Sequence, residues 1–246
     1  MFRSSVIPQP ASQPSKHAAR TLGAGRDLRR RVLLHHVPLA LGSALALVVL
    51  IGLSPSRRGL SVYKLASPTG DIALMLLAVT LLIGPANLLL RRGNPVSSYL
   101  RRDVGAWTAI WSLLHVITGF QGHGGGVFGF VDYFIIDGRP LTNSFGLGNW
   151  TGLAATVIVV LLLVLSTDRY LRELKAKTWK DLQRLNYTLF ALVVVHAFSY
   201  GRLAQPTSPF TLILIFTVIA VLLGQLIGIW LWRRKHRRSA PTPATR

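Results

Sequence analysis

Six long apolar runs, separated by polar and basic segments, organise the chain: roughly 33–52, 71–90, 103–120, 149–166, 184–200 and 209–232. Each lies near the length of about 20 residues that an α-helix needs to cross the hydrocarbon core of a bilayer. The pattern predicts an all-α fold, a polytopic membrane bundle of six transmembrane helices over 33–232. It leaves a basic, disordered tail at 1–32, rich in Ser, Pro and Ala as far as about residue 25, and a second basic tail at 233–246. The first run is too long for a cleavable signal peptide, and no small-residue cleavage site follows it. No internal repeat of fixed period is evident.

Composition agrees with this reading and narrows it. Half of the 246 residues are hydrophobic and only 15% are charged, which leaves no room for a sizeable soluble domain. Cysteine is absent, so disulfides, thiolate catalysis and Cys-ligated iron–sulfur clusters are excluded. A net charge of +20 invites a nucleic-acid reading. The basic residues instead flank the apolar runs, as topology signals and contacts to anionic lipid do, so the membrane and not nucleic acid is the expected partner. The N-terminal tail, the second and fourth connections and the C-terminal tail hold 7, 4, 6 and 6 Lys/Arg, against 3, 1 and 1 in the first, third and fifth connections. The positive-inside rule therefore puts both termini in the cytoplasm. It turns the Gly-rich third connection, with Asp132, Asp137 and Arg139, outward.

Two histidines interrupt the apolar runs. His115 lies 12 residues after Asp103, and His196 lies 12 residues after Arg184. Both runs enter from the cytoplasm, so both imidazoles sit about 18 Å in, at one depth on parallel helices. A polar side chain in hydrocarbon is costly and is a functional candidate. Facing helices of a bundle are a usual place for a haem held by axial histidines. Gly119, one turn beyond His115, and Gly201, just past His196, suit close approach of a flat group, and equally ordinary helix packing. Two other readings stay open for the pair: separate interhelical hydrogen bonds, and a proton relay in a transporter subunit. Against the relay, Asp71 and Asp103 are expected at span ends, where helix N-termini favour acids. Trp107, Trp111 and His115 drift along one face at i, i+4, i+8. That suits an aromatic packing stripe, or a Trp111 that couples a cofactor to the cytoplasmic side. His35 and His36 read as interfacial anchors, His17 and His236 as tail residues, and His123 as a loop residue.

The stretches "LLAVTLLIGPANLL", "RRDVGAWTAIWSLLHVITG" and "STDRYLRELKAKTWKDLQRLNYTLFALVVVHAFSYG" resemble the ferric reductase-like transmembrane domain family over about 70–200. Within it they are similar to the haem-binding membrane subunits of periplasmic methionine sulfoxide reductase systems. The resemblance implies a b-type cytochrome of the bacterial inner membrane, an electron-transfer subunit without catalytic residues of its own. His115 and His196 fall on haem-ligand positions. Electrons would come from FMN or a soluble flavoprotein donor in the cytoplasm and leave for a periplasmic reductase. Arg101 and Arg102, with Arg91, Arg92, Lys175, Lys177 and Lys180, would dock an acidic partner or a flavin phosphate. Only 14 residues follow Trp232, so no nicotinamide domain is expected. Helix five carries Gln183 where the subunits have a further histidine, and the cytoplasmic half of helix three has no histidine or methionine. One haem is therefore expected.

Overall fold

The computed structural model describes residues 28–54, 62–90, 99–122, 129–174 and 176–238. Most of the N-terminal tail, the end of the C-terminal tail, His17, His123, Arg91, Arg92 and Lys175 lie outside them. The helices are α1 (Leu28–Leu53), α2 (Tyr63–Leu89), α3 (Tyr99–Gly122), α4 (Ser144–Leu165), α5 (Asp168–Glu173), α6 (Ala176–Gln183), α7 (Leu185–Ser199) and α8 (Pro209–Arg238). One small hairpin, β1 (Ile135–Ile136) with β2 (Arg139–Pro140), interrupts the otherwise helical chain among the described residues. Its turn residues Asp137 and Gly138 both take positive φ, 49° and 73°. That is the backbone twist two-residue hairpins favour, and it explains the Asp-Gly pair.

Four helices are long and apolar enough to cross a membrane: α1, α2, α4 and α8. This makes the chain a multi-pass helical membrane protein. The two that fall short are α3 and α7, the two that carry His115 and His196. Helix α3 has 24 residues but opens on the charged run Arg101-Arg102-Asp103. Helix α7 is short, at 15 residues.

Helix α2 is the hub, packed along α3 on one side and α8 on another, with α1 alongside. Helix α4 packs along α7. The α2–α8 seam shows how the sequence dictates close packing. Pro85 inside α2 has no N–H to satisfy the Leu81 carbonyl one turn back. The Gln225 amide of α8 donates to that carbonyl instead, at 2.9 Å. In hydrocarbon such a rescue is close to obligatory. Gly224 and Gly228 let α8 come this near: a Cβ on Gly224 would stand 2.2 Å from the Leu82 side chain, and one on Gly228 3.1 Å from Pro85. The glycines are spaced four apart, a small-xxx-small seam.

Two sequence expectations are corrected. Asp71 and Asp103 do not sit at helix N-termini. Helix α2 begins eight residues before Asp71. Asp71 is buried and faces Arg202 at 3.3 Å. Asp103 lies inside α3, only 1% exposed, and receives Arg31 Nε at 3.0 Å and His35 Nδ1 at 2.7 Å. His35 and His36 are therefore not plain interfacial anchors. A π-helical turn, Val32–His36, carries both, and His36 Nε2 comes within 3.6 Å of the same carboxylate. Trp107 Nε1 donates to His36 Nδ1 at 3.1 Å, which fixes the His36 proton on the nitrogen that faces Asp103. Two acids presumed solvated are thus buried, each beside an arginine.

Candidate cofactor-binding site

A cavity of about 340 Å³ lies between the α2–α3 and α4–α7 pairs. His115 of α3 and His196 of α7 project into it, with ring centroids 5.8 Å apart and ring planes at 89°. The two imidazoles are held in the same way. His115 Nδ1 lies 2.7 Å from the Ala66 carbonyl oxygen, and His196 Nδ1 lies 2.8 Å from the Gly148 carbonyl oxygen. A carbonyl only accepts, so each Nδ1 carries the proton and each ring bears its lone pair at Nε2. That is the tautomer in which imidazole binds a metal, and a backbone carbonyl behind Nδ1 is the usual orienting partner.

Glycines make this placement possible. A Cβ on Gly70 would stand 2.9 Å from His115 Nδ1, and one on Gly152 2.8 Å from His196 Nδ1. Each glycine follows its carbonyl partner by four residues, Ala66 to Gly70 and Gly148 to Gly152. One helical turn thus offers both the hydrogen-bond acceptor and the space for the ring. The α2–α3 and α4–α7 pairs repeat this device on opposite walls.

The hairpin end of the cavity is closed by aromatic residues. Phe130, Tyr133 and Phe134 line it. Tyr133 is pinned from both sides: its hydroxyl donates to the Phe120 carbonyl at 2.9 Å, and its own carbonyl accepts from Asn149 Nδ2 at 2.7 Å. Tyr200 in turn donates to Asn149 Oδ1. Arg202 and Asp71 also line this cavity, placing a paired cation and acid at its wall.

The structure sorts the remaining sequence candidates. Gly119 lines the cavity, and a Cβ there would meet nothing within 4 Å. Trp111 does not line it. It packs with Leu50, Ile72, Ala73 and Phe210, so the expected cofactor contact is replaced by the packing role. Arg101 and Arg102 line a second cavity of about 380 Å³ at the α5–α6 end. There Arg102 pairs with Asp168 at 2.6 Å, and this hydrogen bond and charge hold the Asp168 carboxyl below its ordinary pKa. The two cavities share Leu77, Thr108, Val159 and Leu189 as a common wall. Sequence reading missed Gly70, Gly152, Tyr133 and Asn149. The available signal was a glycine in each of two runs that face the histidine helices, and it becomes specific only once the helices are paired.

Among the described residues no group of three or more His, Cys, Asp or Glu is gathered to hold a metal ion. The family profile described as "Ferric reductase like transmembrane component" matches residues 69–195. The chain is 29% identical over 175 residues to the protein-methionine-sulfoxide reductase heme-binding subunit MsrQ of Herminiimonas arsenicoxydans, an alignment covering 70% of this chain and 73% of that one. No solved structure matches.

Proposed function

From its membership of the ferric reductase like transmembrane component family, we propose that this chain is a membrane b-type cytochrome that holds one haem between His115 and His196 and passes electrons through it. The observation that carries the reading is the matched tautomer of the two imidazoles, each tied through Nδ1 to a backbone carbonyl on opposite walls of one cavity. Two histidines alone make a poor protein-only metal site. They suit a metal whose equatorial positions a macrocycle already fills. The similar subunit is named as heme-binding, which agrees.

The bound haem would supply one-electron chemistry. The chain's own residues do the rest. His115 and His196 hold the iron from both sides and leave no position for a substrate. Gly70 and Gly152 admit the rings, and the Phe130–Phe134 segment shields the hairpin end from water. The Arg101–Arg102 cavity across the shared wall lines the side from which a cytoplasmic flavin or flavoprotein would deliver electrons. The acceptor is assigned to the outer face, in keeping with a relative named as part of a protein-methionine-sulfoxide reductase. A single haem is favoured because the lining of the second cavity contains no histidine, methionine or cysteine. Purified full-length protein should show a Soret band that sharpens and shifts on dithionite reduction. Colourless protein that is folded and monodisperse would sink the proposal.

The same reading needs six spans, with α3 and α7 crossing inside a ring of more apolar helices and both ends in the cytoplasm. A reporter active only after export should be silent when fused after Arg238 and active when inserted near residue 125. The opposite pattern would overturn the orientation and the direction of electron flow with it.

A further inference from the structure

The arginine-lined cavity carries an observation that haem binding leaves unexplained. Four buried side-chain nitrogens have no hydrogen-bond partner among the described residues: Arg101 Nε, Trp111 Nε1, Trp179 Nε1 and Gln183 Nε2. Three of the four belong to residues that line this one cavity. A buried donor left unmade costs the desolvation of its N–H, so three converging on one space call for an acceptor. Trp179 and Gln183 are spaced i, i+4 on α6 and share a face, while Arg101 reaches in from α3. The Gln183 amide is oriented by the network: Asn186 Nδ2 donates to Gln183 Oε1 at 3.2 Å, so the opposite end, Nε2, is the donor left over. Arg102 and Arg172 add two more guanidinium groups to the lining, against one carboxylate, Asp168.

We propose that this cavity is an anion site for a phosphate group, brought either by a soluble phosphate or by a lipid headgroup. The lining is rich in donors and cations and poor in acceptors, which selects an acceptor-rich anion. A phosphate group offers several oxygens and up to two charges, enough for three N–H donors from two helices and for the flanking guanidiniums. A carboxylate has only two oxygens and one charge. The floor is apolar, formed by Leu77, Val159 and Leu189, and it is the wall shared with the histidine cavity. A bound phosphate would therefore sit beside the histidine cavity without entering it. The inference does not depend on the haem reading.

Trp179 serves as the reporter. Full-length protein in non-ionic detergent, exchanged free of lipid, is titrated with inorganic phosphate and separately with phosphatidylglycerol in mixed micelles, and tryptophan emission is followed. A saturable change is expected with at least one probe and should be absent in Trp179→Phe. Saturation by inorganic phosphate identifies a soluble anion; saturation by phosphatidylglycerol alone identifies a headgroup. Arg101→Gln should weaken binding about tenfold or more, since it removes a charge-assisted donor. Gln183→Leu should weaken it less, and Lys177→Gln, an exposed cation outside the lining, should leave it unchanged. If Arg101→Gln is not monodisperse, Gln183→Leu and Trp179→Phe carry the test. No saturable response to either probe, or equal affinity in the wild type, Arg101→Gln and Gln183→Leu, would overturn the proposal and leave water as the acceptor.

Discussion

His196→Ala is expected to strip the protein of most of its haem, and His115→Ala to do the same. Each change removes one axial bond and leaves two orphans: a cavity on one wall and a carbonyl, Gly148 or Ala66, without its Nδ1–H donor. Loss of an outer-shell partner alone typically lowers metal affinity about 10–100-fold, and loss of the ligand itself should exceed that. The measurement is a pyridine haemochrome assay against protein concentration from amino-acid analysis, with the ferrous spectrum beside it. The wild type should give a ratio near one. Trp111→Phe and His36→Ala should match it, because Trp111 packs away from the cavity and His36 is engaged by Trp107 and Asp103. A six-coordinate spectrum of normal intensity in either histidine-to-alanine variant would remove that residue from the ligand set. A wild-type ratio near two would require a second site that the lining of the arginine cavity gives no ligand for.

The apolar runs and the equal spacing of His115 and His196 from charged residues were legible because they are one-dimensional signals. Length, hydropathy and the interval to Asp103 or Arg184 need no partner helix. What stayed hidden was interhelical register. Read alone, "YKLASPTGD" looks like an outer connection with an acid at a helix start. In the structure it is the first turns of α2, and its Ala66 carbonyl and Gly70 hold His115. Asp71 looked solvated for the same reason. Its partner Arg202 is 131 residues away, and nothing local announces the pair. Asp103 and Arg31 repeat the pattern across 72 residues. The Gly-rich connection was read as a mobile outer loop, yet its second half folds over the cavity through Tyr133 and Phe134. The Asp137-Gly138 turn that lets it do so was a readable signal.

Gly152→Ala and Gly70→Ala should damage the haem site without touching a ligand. An alanine methyl at residue 152 would stand 2.8 Å from His196 Nδ1 and 2.9 Å from Cε1; at residue 70 it would stand 2.9 Å from His115 Nδ1 and 3.0 Å from Cε1. Real Cβ atoms do not approach that closely, so one of two things must give. Either the ring swings away and loses its carbonyl bond, or the helices part and the two imidazoles no longer oppose each other. Overpacking of this kind costs about 1–3 kcal/mol, a loss of about tenfold or more in haem affinity. Any haem retained should have an altered low-spin electron paramagnetic resonance signal, because the imidazole planes would leave their perpendicular arrangement. Gly119→Ala is the matched control. It adds the same methyl to the wall of the same cavity where nothing lies within 4 Å, and it should preserve haem content, spectrum and signal. If Gly152→Ala and Gly70→Ala behaved like Gly119→Ala, the glycines would be incidental to ligand placement. The paired carbonyl-and-glycine device on opposite walls would then have no part in holding the imidazoles.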